Sequence, residues 1–470
     1  MASLAALTPE MVKEASGLLS EPEHLGKQRL ASLDLFNQLP LEKSPLYTKY
    51  VDMVAGLKLD QVEPGLSSKH ITVPGEVKHL LADQQTLVVQ VDSEVVETTF
   101  HGGLEKEGVV FADLKTALSK FPEMVGSHFS KAIPPDSDKF AALNNALYTA
   151  GVLLYVPKGL AVKVPFRNIV FVQSHGLGAF SHNIIVADEN SRVTFLQEAY
   201  SKLDASKQGP ALYSEVTEVF AGEGAEVSFA SVQNFEADVH SFVNRRSVGG
   251  KDSRVNWTIG HVGGGITRSR MDSALAGPGA NAEDVEIVFG AGDQRFDIVT
   301  DLSHIAPNTT GHVLAKGVLT DSSRSVFKGM IRIGKGAKNS RSYLAEHAMI
   351  LSKKARADAI PGLEIETNEV RATHSGSVSQ IDEEQVFYLE SRGLTQSEAR
   401  KLIILGFLHP AVERIPSRNV RAGIQYLIEE KWAGRGSQVP PRPDMLPEYE
   451  EEPEKVAVSA DLFERHYKYR

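Results

Sequence analysis

Hydrophobic and polar positions follow three different rhythms along the chain. Residues 1 to about 60 read as helical and polar, ending near Pro64-Gly65. Thr8 stands where a helix N-cap belongs, and Pro9 occupies the first helical position. From Ile71 to about Leu118, runs such as Leu87-Val-Val-Gln-Val91 and Val109-Val-Phe111 predict short strands mixed with helix. Asp138 to Leu147 returns to helical spacing, with Gly151 as the expected C-cap.

From about Val152 to Ala372 the rhythm becomes short β segments punctuated by Gly, Asn, Asp and Ser. Alternating strands recur at Val193-x-Phe195, Val227-x-Phe229, Val255-x-Trp257-x-Ile259 and Val285-x-Ile287-x-Phe289. Weaker copies follow at Val313-x-Ala315, Tyr343-x-Ala345 and Val370-x-Ala372, at successive intervals of 34, 28, 30, 28, 30 and 27 residues. Turn clusters precede the first four: Asp188 to Ser191, Gly222 to Ala225, Gly250 to Ser253 and Gly277 to Ala280; Gly334 to Ala337 is a later one. Units of this size cannot bury an apolar face alone, whereas stacked rungs can. The pattern favours a parallel β-helix over its competitors, a β-sandwich or a propeller.

Past Asp382 the chain is helical again. Asp382-Glu-Glu-Gln385 and Thr395-Gln-Ser-Glu398 have the spacing of capping boxes. The second opens an apolar helix, Ala399 to Leu408, that Pro410 is expected to stop. Within it Leu402, Ile403, Leu405 and Phe407 read as a core stripe, and Arg400, Lys401 and Trp432 as outward residues. A third helix from about Ser417 carries Val420, Ile424, Leu427 and Ile428 on one face. Residues 438–470 read as a flexible acidic tail.

Composition narrows the classes of function. The 470 residues carry 50 basic and 60 acidic side chains, a net charge of −10. Six acids lie between Asp444 and Glu454, so the rest of the chain is near −4. That balance argues against nucleic acid as a partner. There is no cysteine, which removes disulfides, thiolate nucleophiles and any metal site built on the chain's own sulfur. The first residues have no basic region of the kind a signal peptide needs. The most apolar run, Ala146 to Val156, is eleven residues long and too short for a bilayer. A soluble, cytoplasmic protein without membrane contact is expected.

Catalytic motifs are missing. The chain has no phosphate-binding Gly-rich loop with Lys-Ser/Thr, no Gly-x-Ser-x-Gly and no His-Glu-x-x-His. Gly290-Ala-Gly292-Asp-Gln-Arg lacks a third glycine and reads as a turn. Among fifteen histidines, pairs such as His175/His182 and His304/His312 match no metal spacing. His374 lies on the last recognisable rung, sharing the face of Val370 and Ala372 if alternation holds. On spacing alone it reads as structural.

Several blocks resemble the SufB/SufD family of iron–sulfur cluster assembly proteins. They are Asp138 to Leu147, Tyr155 to Leu160, Ser325 to Gly329, Pro361 to Ile365, Thr373-His-Ser-Gly-Ser377 and Ile381 to Gly393. The likeness covers about residues 136–432, with a weaker echo at Phe36 to Pro40. Without cysteine, and with His374 in the segment before the helices, the chain resembles the SufD branch more than SufB; so does the ending Leu408 to Ile415. The resemblance implies a mainly β fold: a right-handed parallel β-helix core (136–372) between an N-terminal helical, α/β region (1–135) and a C-terminal helical region (373–437), with the tail at 438–470.

It also implies a non-enzymatic scaffold that pairs with a SufB-like homologue through the β-helix. A SufC-like ATPase, which alone binds ATP, docks on the C-terminal helices, and a homodimer in isolation is compatible with the same surfaces. No cofactor is stably bound; a transient iron–sulfur cluster is shared with SufB, and His374 is the metal and cluster ligand the resemblance points to. Many SufD sequences have a cysteine two positions earlier, where this chain has Ala372, so imidazole is left as the ligand type. Glu364 and Glu366, just upstream, are expected to be solvated. The rival reading is a β-helix polysaccharide lyase or hydrolase, which needs clustered carboxylates or a calcium site on one face.

Overall fold

Strands of about ten residues, each entered through a turn rich in Asn, Asp and Gly, wind this chain into a coil. A computed structural model describes residues 3–66, 71–81, 86–100, 102–204, 209–415, 418–436 and 439–441. The expected tail at 438–470 lies outside these residues apart from 439–441. Two ten-stranded sheets form the walls. The first stacks alternate strands from Val152–Val156 to Arg356–Ile365, and the second from Phe166–Val172 to Arg371–Gln380, all parallel. This is the parallel β-helix the repeat predicts. No helix among the described residues is long and apolar enough to cross a membrane.

The turns show why the sequence needs its small polar residues. Asn190, Gly224, Asp252, Gly279, Asn308 and Asn339 occupy equivalent corners, all with φ between 54° and 76°. Asn, Asp and Gly tolerate that left-handed conformation. Each of their amides donates to a carbonyl of the next turn, at 2.6–3.2 Å, so the corners form a continuous ladder.

Inside the coil, Phe195, Phe229 and Trp257 stack in register, with ring centroids 5.4 and 4.7 Å apart. Later copies of the repeat keep the interval but not the face. Val285 pairs with Thr258 rather than Val255, so Val285, Ile287 and Phe289 point outward against the C-terminal helices. Corner lengths vary, and a shift by an odd number of residues moves a strand's apolar set to the other face.

The outer wall of the first sheet is covered by Pro9–Leu19, Glu23–Gln38 and Lys139–Leu147. Thr8 caps the first of these helices as predicted, and Asp138 caps the last through the Phe140 and Ala141 amides. Gly151 is not a C-cap. Its φ is 143°, and a Cβ there would lie 1.9 Å from the His182 carbonyl oxygen. The glycine lets the entering strand approach the first full rung.

The outer wall of the second sheet is covered by Glu383–Ser391, Gln396–Val412 and Arg418–Trp432. Thr395 and Glu398 form the predicted capping box, whereas Asp382 caps alone, through the Glu384 amide. Pro410 does not stop its helix, which runs through it to Val412. The coil holds this turn from outside, where Lys316 Nζ donates to the Phe407 carbonyl at 2.6 Å. The buried stripe is Ala399, Ile404, Leu408 and Ala411, as predicted for Val420, Ile424, Leu427 and Ile428 on the next helix. Leu402, expected in the core, is instead exposed. The coil itself extends past Ala372, to Gln380.

Candidate functional site

The two ends of the coil differ. At the N-terminal end, Leu87–Val91, Glu94–Thr99 and Val110–Asp113 continue the sheets. At the other end, Arg356–Ile365 and Arg371–Gln380 are the terminal strands, each with a neighbour on one side. Their outer edges offer unpaired backbone groups and a lumen with no further rung above it. Ile365 and Val378 there are 42% exposed. Natural sheets usually protect such an edge.

His374 belongs to this open rung. It stacks directly on Leu344, in the lumen-facing column that runs through Phe195, Phe229, Trp257, Asp284 and Val313. Those side chains are buried because a further rung covers each. His374 has the same orientation and no cover, so its imidazole is exposed at the mouth. Ala372, Gly376 and Val378, which share its face, carry no donor atom. The opposite face of the strand is tied down, with Ser375 bonded to Tyr343 at 2.9 Å and Ser377 to His347 at 2.7 Å.

One rung below, Glu346 also faces the lumen, 2% exposed. Its Oε2 accepts from the Ile360 amide at 2.9 Å. Burial pushes this carboxyl up to about 8, with the charge of Asp301 adding to the rise. Between the free carboxyl value of 4.5 and about 8 the folded chain therefore binds more protons than the unfolded one. Stability falls as pH rises through that window. Glu346→Gln is predicted to flatten this slope, measured as urea unfolding free energies at pH 5 and pH 8.

Three of the other histidines singled out in the sequence are held by their neighbours. His175 Nδ1 bonds the Gly209 carbonyl, His182 donates to Glu218 at 2.9 Å, and His304 sits between Thr309 and Ser342. Burial pulls His304 down to about 4. Gly290 to Arg295 is a turn between strands, as expected. Glu364 and Glu366 are exposed, Glu364 lying 3.5 Å from Arg332. Among the described residues no group of three or more His, Cys, Asp or Glu could hold a metal ion. At the mouth itself His374 offers one exposed imidazole.

The helical layer is joined to this rung by two residues, the buried Ile381 and the cap Asp382. It grips the coil through an apolar cluster and through cations. Arg414 pairs with Glu283, and Lys431 Nζ donates to the carbonyls of Val262 and Phe289 and to Gln294 Oε1. Arg400 and Lys401, read as outward residues, are engaged by Glu383 and Glu429, and Trp432 packs on the cluster. Among the described residues of this layer, the large apolar side chains that stay exposed are Phe387, Tyr388 and Leu402, at 72%, 56% and 52%. Sequence spacing did not single out Phe387 and Tyr388, because an apolar residue after a capped start normally points inward.

Comparison with known proteins places these features in context. The family described as "SUF system FeS cluster assembly, SufBD core domain" matches residues 170–407, and "SufBD protein N-terminal region" matches residues 72–167. The chain is 33% identical over 431 residues to the iron-sulfur cluster assembly protein SufD of Bacillus subtilis, covering 90% of this chain and 97% of that protein. It is 29% identical over 426 residues to SufB of the same organism, covering 87% and 90%. A SufBD family protein of Staphylococcus aureus is equally similar, at 29% over 426 residues.

Proposed function

The chain belongs to the SufBD family of SUF-system iron–sulfur cluster assembly proteins, and from that premise we propose that it is a SufD-type scaffold subunit, pairing in the cytoplasm with a SufB-like homologue and docking a SufC-like ATPase. The nascent cluster is cargo, assembled transiently at the open end of the coil, and ATP is bound only by the ATPase. The observation that carries this reading is the uncovered, lumen-facing imidazole of His374. A second coil seated on the bare edges would complete the backbone pairing and bring its own donors to that imidazole. Imidazole can replace part of a thiolate shell, and an incomplete shell suits a cluster that must be passed on.

The exposed apolar face of Phe387, Tyr388 and Leu402 supports docking of the ATPase on the helical layer. Because two residues separate that layer from the last strand, movement of the helix Glu383–Ser391 would reach the mouth directly. Co-purification tests the arrangement. Phe387→Ala with Leu402→Asp is expected to cut recovery of the ATPase at least about tenfold, the loss of roughly 1.4 kcal/mol of binding, with an unchanged unfolding midpoint. Undiminished recovery would exclude this face as the docking site.

A further inference from the structure

The lumen of the last rungs holds one ionisable group that the scaffold reading does not use. Glu346 and His374 stand on the same wall, one rung and two residues apart, which places their Cα atoms roughly 8 Å from each other. Both side chains point into the lumen. Gly376 stacks directly above Glu346, so no side chain separates the carboxyl from the mouth at that position. A Cβ at 376 would lie 3.5 Å from Ala359 and Pro361, filling the gap between the two walls. Across the lumen, Gly329 makes room as well, since a Cβ there would fall 2.9 Å from Glu346 Oε1. Two glycines thus flank a carboxyl that accepts from the Ile360 amide. A purely structural cap of that amide needs one neutral oxygen, and glutamine would supply it. A carboxyl so placed offers more: hard oxygen donors one rung below the mouth and two residues along from the imidazole, a pair of donor types that suits divalent iron.

We infer that Glu346 is a second iron-directed group of the mouth, an oxygen ligand that binds ferrous iron together with the His374 imidazole. The inference rests on the reading that iron is delivered to this end of the coil. Iron takes the place of the carboxyl proton, which leaves to solvent, and no electron is transferred. The chain then supplies one nitrogen and one oxygen donor, and a partner or solvent supplies the rest.

Anaerobic equilibrium dialysis of the full chain against ferrous iron tests this, using the wild type, Glu346→Gln, His374→Ala and the double variant. Each single change is expected to weaken uptake about tenfold or more. The double variant should be little weaker than the worse single one, because both remove ligands from one ion. Glu346→Gln keeps the cap on Ile360, and its thermal midpoint checks that the fold is retained. Uptake by Glu346→Gln equal to wild type, with His374→Ala weakened, would overturn the role of Glu346 and leave the mouth as an iron site. Uptake unaffected by either change, or absent from the wild type, would overturn both.

Discussion

Replacing His374 by Ala is expected to abolish maturation of iron–sulfur enzymes in cells that depend on this chain, while the protein itself folds as before. The side chain is exposed, sits on a terminal strand and fills no cavity, so the stability change should stay within about 0.5 kcal/mol. Thermal unfolding would show that directly. Function is different, because Ala372, Gly376 and Val378 carry no donor atom and the chain has no thiol to take over. His374→Cys is the informative companion: it restores a cluster-compatible donor at the same place and should recover part of the activity. Full maturation by His374→Ala would remove the ligand assignment, and unfolding of that variant would assign the residue to packing.

The largest expected loss of stability lies elsewhere, in Glu218→Ala. This carboxylate is fully buried on the outer wall of the first sheet and gathers four donors. The amides of Ser130, Ala132 and Ile133 reach it at 2.7, 2.6 and 2.9 Å, and His182 Nε2 at 2.9 Å. It thereby pins the segment leading into the helix Lys139–Leu147 against the coil. Truncation strands two buried amides, the half-buried amide of Ser130 and an imidazole at once, for which about 3–5 kcal/mol is expected. Glu218→Gln keeps one acceptor oxygen and should cost clearly less. Urea denaturation of the two variants separates them, and a truncation costing under about 1 kcal/mol would show that the segment is held by other means.

The coil was legible because its rungs repeat. Intervals near 30 residues and left-handed corner residues such as Asn190 and Asp252 follow from covalent chain geometry, and so they show in the sequence. Faces were legible only where the repeat coincides with the rung: Val193, Val227 and Val255 stack, whereas the rung partner of Val255 is Ala282 and Val285, three residues on, faces outward. The helix through Pro410 was hidden because the strands it packs on, with Lys316 among them, are distant in sequence. Leu402 and Phe387 were misplaced or overlooked for a related reason, since hydrophobic spacing reports an apolar face without saying whether this chain or another covers it. His374 illustrates the reverse. Its spacing suggested a packed residue, and its lumen-facing register agrees, but it lies on the rung where the stack ends. Glu346 carried no local signal, because its environment is made by Gly329, Ile360 and Gly376 on neighbouring strands.

We propose that the donors a SufB-like partner brings to the imidazole at the coil's open end include a cysteine, the soft ligand that an iron–sulfur cluster favours and this chain lacks. The most direct measurement is a disulfide trap in the co-purified complex, using His374→Cys as the sole thiol of this chain and mild oxidation. The account predicts a covalent, reducible heterodimer with the SufB-like partner, and none when the cysteine is placed instead at exposed Ser391. A complex that retains both subunits yet gives no linked species through position 374 would contradict it.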